Sequence, residues 1–204
     1  MYLSRIDMDL SDSYVRSSLK DAQKMHRLLT GLFQKSRQEA SLLYRVKVSA
    51  GKVMVYQYSN TPVLRERLRD GVHLFGEREI TGWLESMQEG QSWGFDIVTM
   101  PFKKEKQGEG TNSRRRFIKD QEERLEWLSR KASQNGFSIL DVEEIEGEKL
   151  NIYHSSEKGG KMTMDHYRYS GRLVITDAQA FRNGIIQGIG PGKAYGLGMM
   201  LLVR

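Results

Sequence analysis

Two periods of hydrophobic and polar positions alternate along the chain, and each predicts a different element. "MYLSRIDMDL" alternates as a half-buried strand does, with Leu3 and Ile6 as core positions. Over residues 14–34 the apolar positions recur every three or four residues, which predicts one amphipathic helix starting after the polar residues 11–13. "SLLYRVKVSAGKVMVYQYS" has two β-rich runs about a turn at residues 49–52, which predicts a hairpin.

The rest of the chain continues this alternation of elements. "PVLRERLRD", opened by Pro62, predicts a short helix, and the pattern is then ambiguous until the strand "SWGFDIVTMPF". "KKEKQGEGTNSRRR" has almost no apolar content and predicts a loop or a mobile hairpin. "KDQEERLEWLSRKASQNG" predicts a helix that ends near Gly136. Two strand blocks, "FSILDVEEIEGEKLNIYH" and "MTMDHYRYSGRLVIT", then precede a helix capped by Asp177 and the final strand "GMMLLVR".

The order of the predicted elements is β-α-β-β-α-β, followed by the same order again. This is the ferredoxin-like (RRM-like) unit in tandem, so the predicted fold class is α+β. The break lies between about residues 80 and 92, which predicts an N-terminal domain at 1–85 and a C-terminal domain at 92–204. No sequence repeat is visible, so the duplication rests on the order of elements alone.

Composition narrows the function without deciding it. The 204 residues are 38% hydrophobic and 28% charged, as in an ordinary globular protein, and no run of about 18 apolar residues predicts a membrane span. Cysteine is absent, which excludes disulfides, thiolate catalysis and thiolate metal sites and agrees with a cytoplasmic location. The net charge of +6 favours a polyanionic partner, although a basic protein without such a partner stays possible at this point.

The stretch "GIGPGKAYGLG" at residues 188–198 is a glycine-rich loop that fits neither well-known nucleotide motif. A Walker loop needs glycine where Gln187 stands and serine or threonine where Ala194 stands. A dinucleotide loop needs its third glycine where Lys193 stands, and it opens a helix instead of following one. Two alternatives remain: an anion-binding concavity of backbone N–H groups with Lys193, or a helix end and tight turn where backbones pack closely.

Several stretches resemble one protein family. "GIGPGKAYGLGMMLL" resembles the C-terminal signature of the CasE-type CRISPR-associated endoribonucleases, the repeat-processing subunits of type I-E CRISPR systems. "MYLSRI" is similar to the first strand of the family, and "KMHRLLTGLF" to its first helix. "RLEWLSRK" and "GGKMTMDHYRYSGRLVITD" also match, so the resemblance runs from end to end in the right order.

This resemblance implies a fold, a reaction and a set of partners. It implies tandem ferredoxin-like domains that recognise a short hairpin in CRISPR repeat RNA and cut once at the base of the stem. The cut needs no metal or other cofactor and leaves a 2′,3′-cyclic phosphate and a 5′-hydroxyl. The protein would be a monomer when free, without membrane contact, and would stay on the crRNA with the other subunits of the surveillance complex, Cascade.

His26 is the residue on which the expected chemistry depends. It follows Met25 at the margin of an apolar helix face, beside the cationic Arg27, and the residues alone leave open an ordinary helix-surface histidine. The resemblance places the catalytic histidine here, where imidazole suits proton transfer near neutral pH. Many family members carry tyrosine where this chain has Gln23, which can donate and accept hydrogen bonds but cannot usefully exchange a proton.

The departure at Gln23 leaves two readings of the catalytic set His26, Gln23 and Arg27. One is an endoribonuclease that is slower or compensated by another group. The alternative is a catalytically weak or inactive subunit of Cascade that binds the crRNA hairpin. No metal is expected, because no metal-binding spacing of histidines and acids appears.

Clustered lysines and arginines are the expected RNA contacts, since phosphates attract them. For the basic residues at 103–119, the alternative is a solvated loop without RNA contact. For Tyr167 and Tyr169, which flank Arg168, the alternative is packing in the core. The predicted groups are Lys103, Lys104, Lys106, Arg114, Arg115, Arg116 and Lys119; then Lys158, Lys161 and Arg168; and, in the glycine loop, Lys193 with Gly188, Gly190, Gly192 and Gly196.

Overall fold

Two four-stranded antiparallel sheets form the protein. The computed structural model describes residues 1–34, 40–49, 51–105, 114–146, 150–153 and 161–203. Each sheet has the strand order of a ferredoxin-like unit, with the first strand of the unit between its third and fourth. The predicted α+β fold of tandem ferredoxin-like units is therefore confirmed.

The first sheet has the order β2-β3-β1-β4. Its elements are β1 (Tyr2–Met8), α1 (Ser13–Leu19), α2 (Ala22–Thr30), β2 (Leu43–Ser49), β3 (Lys52–Ser59) and β4 (Val72–Glu79). The predicted hairpin is confirmed, with Ser49 opposite Lys52 and Gly51 at φ 74° in the turn. Strand β4 lies in the segment whose pattern was ambiguous.

Two predicted helices of this unit were wrong. The single helix over residues 14–34 is two helices, because Asp21 accepts a hydrogen bond from the Gln23 N–H and so caps a new helix. Asp12 caps the first helix in the same way. The helix expected after Pro62 is only a 3-10 turn at Arg65–Arg67, since the residues on either side of the turn are extended.

The second sheet has the order β12-β5-β11-β8 and carries two extra hairpins. Asp177 caps the last helix by accepting from the Ala180 N–H, as predicted, and Gly136 ends the preceding helix at φ 71°. The remaining elements are α3 (Thr81–Glu85), β5 (Ser92–Thr99), β6 (Phe102–Glu105), β7 (Arg114–Phe117), α4 (Gln121–Gln134), β8 (Phe137–Glu146), β9 (Leu150–Tyr153), β10 (Lys161–Met164), β11 (Tyr167–Ile175), α5 (Ala178–Gln187) and β12 (Met200–Val203).

The core joins the two sheets. One buried cluster packs α1 and α2 on the first sheet around Ile6 and Leu29. A larger cluster contains Tyr58 of the first sheet together with Phe95 and Trp127 of the second half. This cluster contains residues of both halves, so it does not mark a boundary between them. The division into domains at 1–85 and 92–204 stays a prediction. Within the described ranges, no helix is long and apolar enough to cross a membrane.

Candidate active site

Helix α2 presents the predicted catalytic residues beside an apolar face. Met25 and Leu29 are buried and anchor the helix on the first sheet. Gln23 and His26 are three positions apart, so they share one side of the helix, and both are partly buried. Arg27 is exposed. The helix therefore holds an imidazole and an amide at the boundary between core and solvent.

Tyr44 on β2 links this helix to the glycine loop. Its ring lies nearly parallel to the His26 imidazole, at 18° and with 6.4 Å between centroids. Its hydroxyl donates a 2.9 Å hydrogen bond to the Ala194 carbonyl. Sequence reasoning missed Tyr44, because a tyrosine in an apolar strand gives no local sign of what it contacts.

The glycine loop lies against α2 and β2. Its middle forms a 3-10 turn, Lys193–Tyr195, which packs on both elements. Gly192 and Gly196 flank the turn in left-handed conformations that favour glycine. The structure thus brings Lys193 to the helix that carries His26, although 167 positions (193 minus 26) separate them in the sequence.

The glycines of the loop pack closely on the protein itself. A Cβ at Gly196 would lie 2.9 Å from the Tyr44 ring, and one at Gly190 would lie 2.6 Å from the Thr99 hydroxyl. Gly188 and Gly192 are similarly confined, by side chains of Leu43 and Leu197 respectively. The helix end and tight turn with closely packed backbone, one of the two alternatives for this loop, is therefore present. RNA contact by these glycines stays a prediction.

An ion-pair cluster joins the two sheets beside this loop. Asp96 on β5 accepts hydrogen bonds from Arg45 on β2 and from Arg168 on β11. Burial opposes ionisation of Asp96, but the hydrogen bonds and charges of the two arginines outweigh it and lower the pKa of the carboxyl. Arg168, a predicted RNA contact, is thus held in an ion pair, and its side chain stays 39% exposed.

Of the predicted basic residues around 103–119, those that the structure describes lie on the β6–β7 hairpin and the segment after it. Lys103 pairs with Glu123 of α4, and Arg116 pairs with Glu105, and the four side chains are 42–64% exposed. Lys104 and Lys119 are exposed. The hairpin strands place Arg114 and Arg115 opposite Glu105 and Lys104, and Lys161 begins β10. Lys106 and Lys158 lie outside the described residues.

The basic residues of this hairpin and Lys193, whose turn packs against α2, thus lie on different elements of the fold. Across the part of the chain that the structure describes, no group of three or more histidines and acids could hold a metal ion.

Fold and site together define a tandem ferredoxin-like protein whose glycine-rich loop packs over a histidine-bearing helix. The chain belongs to the family described as "CRISPR associated protein", whose model matches residues 1–204. The resemblance to the CasE-type proteins that the motifs indicated is confirmed.

Individual relatives agree over the whole length. The CRISPR-associated endoribonuclease Cse3 of Thermus thermophilus is 23% identical, over 98% of this chain and 98% of the relative. A structure of CRISPR endoribonuclease Cse3 bound to 19 nt RNA superposes with a TM-score of 0.88 at 22% identity, over 100% of both chains. A chain of a CRISPR RNA-guided surveillance complex, pre-nicking, gives a TM-score of 0.77 at 24% identity, over 99% of both chains. At identities this low, the structural superpositions establish the shared fold alone.

Proposed function

We propose that this protein is a metal-independent endoribonuclease that cleaves CRISPR repeat hairpins in precursor crRNA. It then keeps the crRNA as a subunit of Cascade in the cytoplasm, and it is a monomer when free. The observation that carries the proposal is the placement of His26, on a helix that contacts both Tyr44 and the Lys193 turn. The relatives support it: one is named an endoribonuclease, one is bound to RNA, and one is part of a surveillance complex.

The proposed reaction begins with the ribose 2′-hydroxyl. It attacks the adjacent phosphate in line, the 5′-oxygen leaves, and a 2′,3′-cyclic phosphate and a 5′-hydroxyl result. Because the nucleophile is already attached to the substrate, positioning supplies much of the rate. His26 either takes the proton from the 2′-hydroxyl or gives one to the leaving oxygen, and such a group contributes about 10²–10⁴-fold.

Three further groups support the proposed reaction. Lys193 and exposed Arg27 supply positive charge for the phosphate, whose charge increases in the transition state. Gln23 is partly exposed on the same side of α2 as His26, although its amide oxygen is buried in this conformation. An amide can hydrogen-bond the phosphate or the 2′-hydroxyl but cannot usefully exchange a proton, which suits Gln23 to positioning and leaves proton transfer to His26.

Cleavage of a labelled repeat hairpin in excess EDTA tests the proposal. The wild type is expected to cut, and His26→Ala or a 2′-deoxy substitution at the scissile nucleotide is expected to abolish the cut. His73→Ala is the matched control, because His73 is exposed on β4. Cutting that requires added metal, or no preference for the hairpin over random RNA, would contradict the proposal.

A catalytically weak or inactive subunit that binds the crRNA hairpin is the second candidate. Gln23 favours it, since this side chain cannot replace the proton-transfer capacity of a tyrosine. Tight hairpin binding by the wild type without any cut would support this candidate. Faster cutting by Gln23→Tyr than by the wild type would show that a tyrosine at position 23 contributes to the cleavage rate.

A further inference from the structure

A cavity of about 150 Å³ opens beside Tyr44. Met25, Val98 and Leu197 give it apolar walls, and the aromatic rings of Tyr44 and Tyr195 also line it. Tyr195 is only partly buried, as are Leu19, Val46 and His166 in the same lining, so the cavity reaches the protein surface. It is therefore a partly open space for a small, largely apolar group.

Ser18 is a buried polar group in the wall of this cavity. The residue is 0% exposed, and its Oγ has no hydrogen-bond partner among the residues that the structure describes. Less than 1 Å² of this Oγ is accessible to solvent, so an occupant of the cavity lies against the residue without reaching its hydroxyl.

Arg45 adds a fixed set of donors to the same wall. Its side chain is 7% exposed, and one terminal nitrogen donates to Asp96 at 2.6 Å. Asp96 is in turn held by Arg168, which keeps the guanidinium in place. A guanidinium has five N–H donors, and arginine donors pair with the O6 and N7 acceptors of guanine in nucleic acids. The polar wall is thus suited to the edge of a base.

We propose that this cavity receives one unstacked nucleobase of the substrate RNA, adjacent to the phosphate that is cut. The faces of the base lie against the apolar and tyrosine walls, and its edge meets Arg45 and His166. Proteins that recognise RNA sequence bind unstacked bases in this way, with stacking on aromatic rings and hydrogen bonds to the edges. Tyr44 borders the cavity and also pairs with His26, so an occupant lies next to the reacting phosphate. This inference rests on the proposed function.

A double-mutant cycle between protein and RNA tests the proposal. Val46→Phe places a ring in the cavity at a partly exposed position of an edge strand, where the risk to folding is small. Val48→Phe is the matched control, since it faces the same side of β2 and is 59% exposed. The RNA partner is a repeat hairpin with 2′-deoxyribose at the scissile nucleotide and an abasic site introduced at each flanking nucleotide in turn.

One abasic position next to the cut is expected to weaken binding by about ten-fold, the effect of losing one stacked base. Val46→Phe is expected to weaken binding of the intact hairpin by a similar factor, and to have no further effect on that abasic RNA.

Two results would overturn the base pocket while leaving the endoribonuclease intact. One is cutting and hairpin preference with no sensitive abasic position. The other is a loss of affinity from Val46→Phe that is as large on the abasic RNA as on the intact hairpin, which would show that the two changes act independently. A protein without hairpin preference over random RNA would overturn both proposals together.

Discussion

The Tyr44 hydroxyl donates a 2.9 Å hydrogen bond to the main-chain carbonyl of Ala194, although 150 positions separate the two residues. The same tyrosine ring lies nearly parallel to the His26 imidazole. One buried side chain therefore fixes the histidine helix and the glycine loop relative to each other. The position of Lys193, next to Ala194, depends on the same contact.

Removing the Tyr44 hydroxyl is expected to slow cleavage while changing the free energy of unfolding only slightly. Tyr44→Phe keeps the ring against His26 but releases the loop, so single-turnover cleavage should fall about ten-fold, as expected for misplaced reacting groups. The free energy of unfolding in urea should fall by only about 1 kcal/mol, the net value of one hydrogen bond. Tyr14→Phe, which removes a hydroxyl from an exposed ring, is the control and should change neither. Wild-type cleavage by Tyr44→Phe would show that the loop tether has no part in the reaction.

Gly196 is expected to tolerate no side chain. Its φ is 83°, and an added Cβ would lie 2.9 Å from the Tyr44 ring. Gly196→Ala should therefore lower the free energy of unfolding by about 1–3 kcal/mol and reduce cleavage by moving the ring. Gly82→Ala is the matched control, because a Cβ there meets nothing within 4 Å and the residue lies in helix α3. Equal stability of the two variants in urea would contradict the packing argument.

Local chemistry explains what the sequence could predict. The cap at Asp177, the turn around Gly51 and the helix end at Gly136 each depend on neighbours a few residues away. The break at Asp21 is also local. It was missed because the apolar spacing continues across it, and an aspartate can end one helix and cap the next.

The site depends on contacts that are distant in sequence. Tyr44 meets Ala194, and Asp96 binds Arg45 and Arg168, through strand and loop packing that no spacing of residues reveals. His26 could be singled out only by the family resemblance, because the residues alone favour an ordinary helix-surface histidine. The same limit applies to Ser18, whose burial depends on packing around the cavity.

Asp96 is expected to stabilise the junction of the two sheets in a pH-dependent way. The pKa of Asp96 is lowered in the folded protein, so its contribution is present above the unfolded value of about 3.9 and is lost as pH falls through the folded value. Asp96→Asn leaves Arg45 buried without its carboxylate and should lower the free energy of unfolding by about 3 kcal/mol at pH 7. The difference between variant and wild type should narrow as the pH approaches 3.

An exposed ion pair provides the comparison for Asp96. Glu105→Gln breaks the pair with Arg116, whose side chain is 64% exposed, and should change stability by less than about 1 kcal/mol at any pH. Urea unfolding of both variants at pH 7 and at pH 3 measures the difference. A loss for Asp96→Asn that is equally large at both pH values would show that the charge of Asp96 is not the cause.

Lys193 is expected to contact a phosphate of the bound RNA, because its turn packs against the helix that carries His26. Each neutralised phosphate adds roughly one unit to the slope of log affinity against log salt. Lys193→Ala should therefore weaken hairpin binding at low salt and lower that slope by about one. The control is Lys52→Ala, at an exposed position where β3 begins. If Lys193→Ala binds and cuts the hairpin with the affinity, salt slope and rate of the wild type, the loop serves only to pack against Tyr44 and does not bind phosphate.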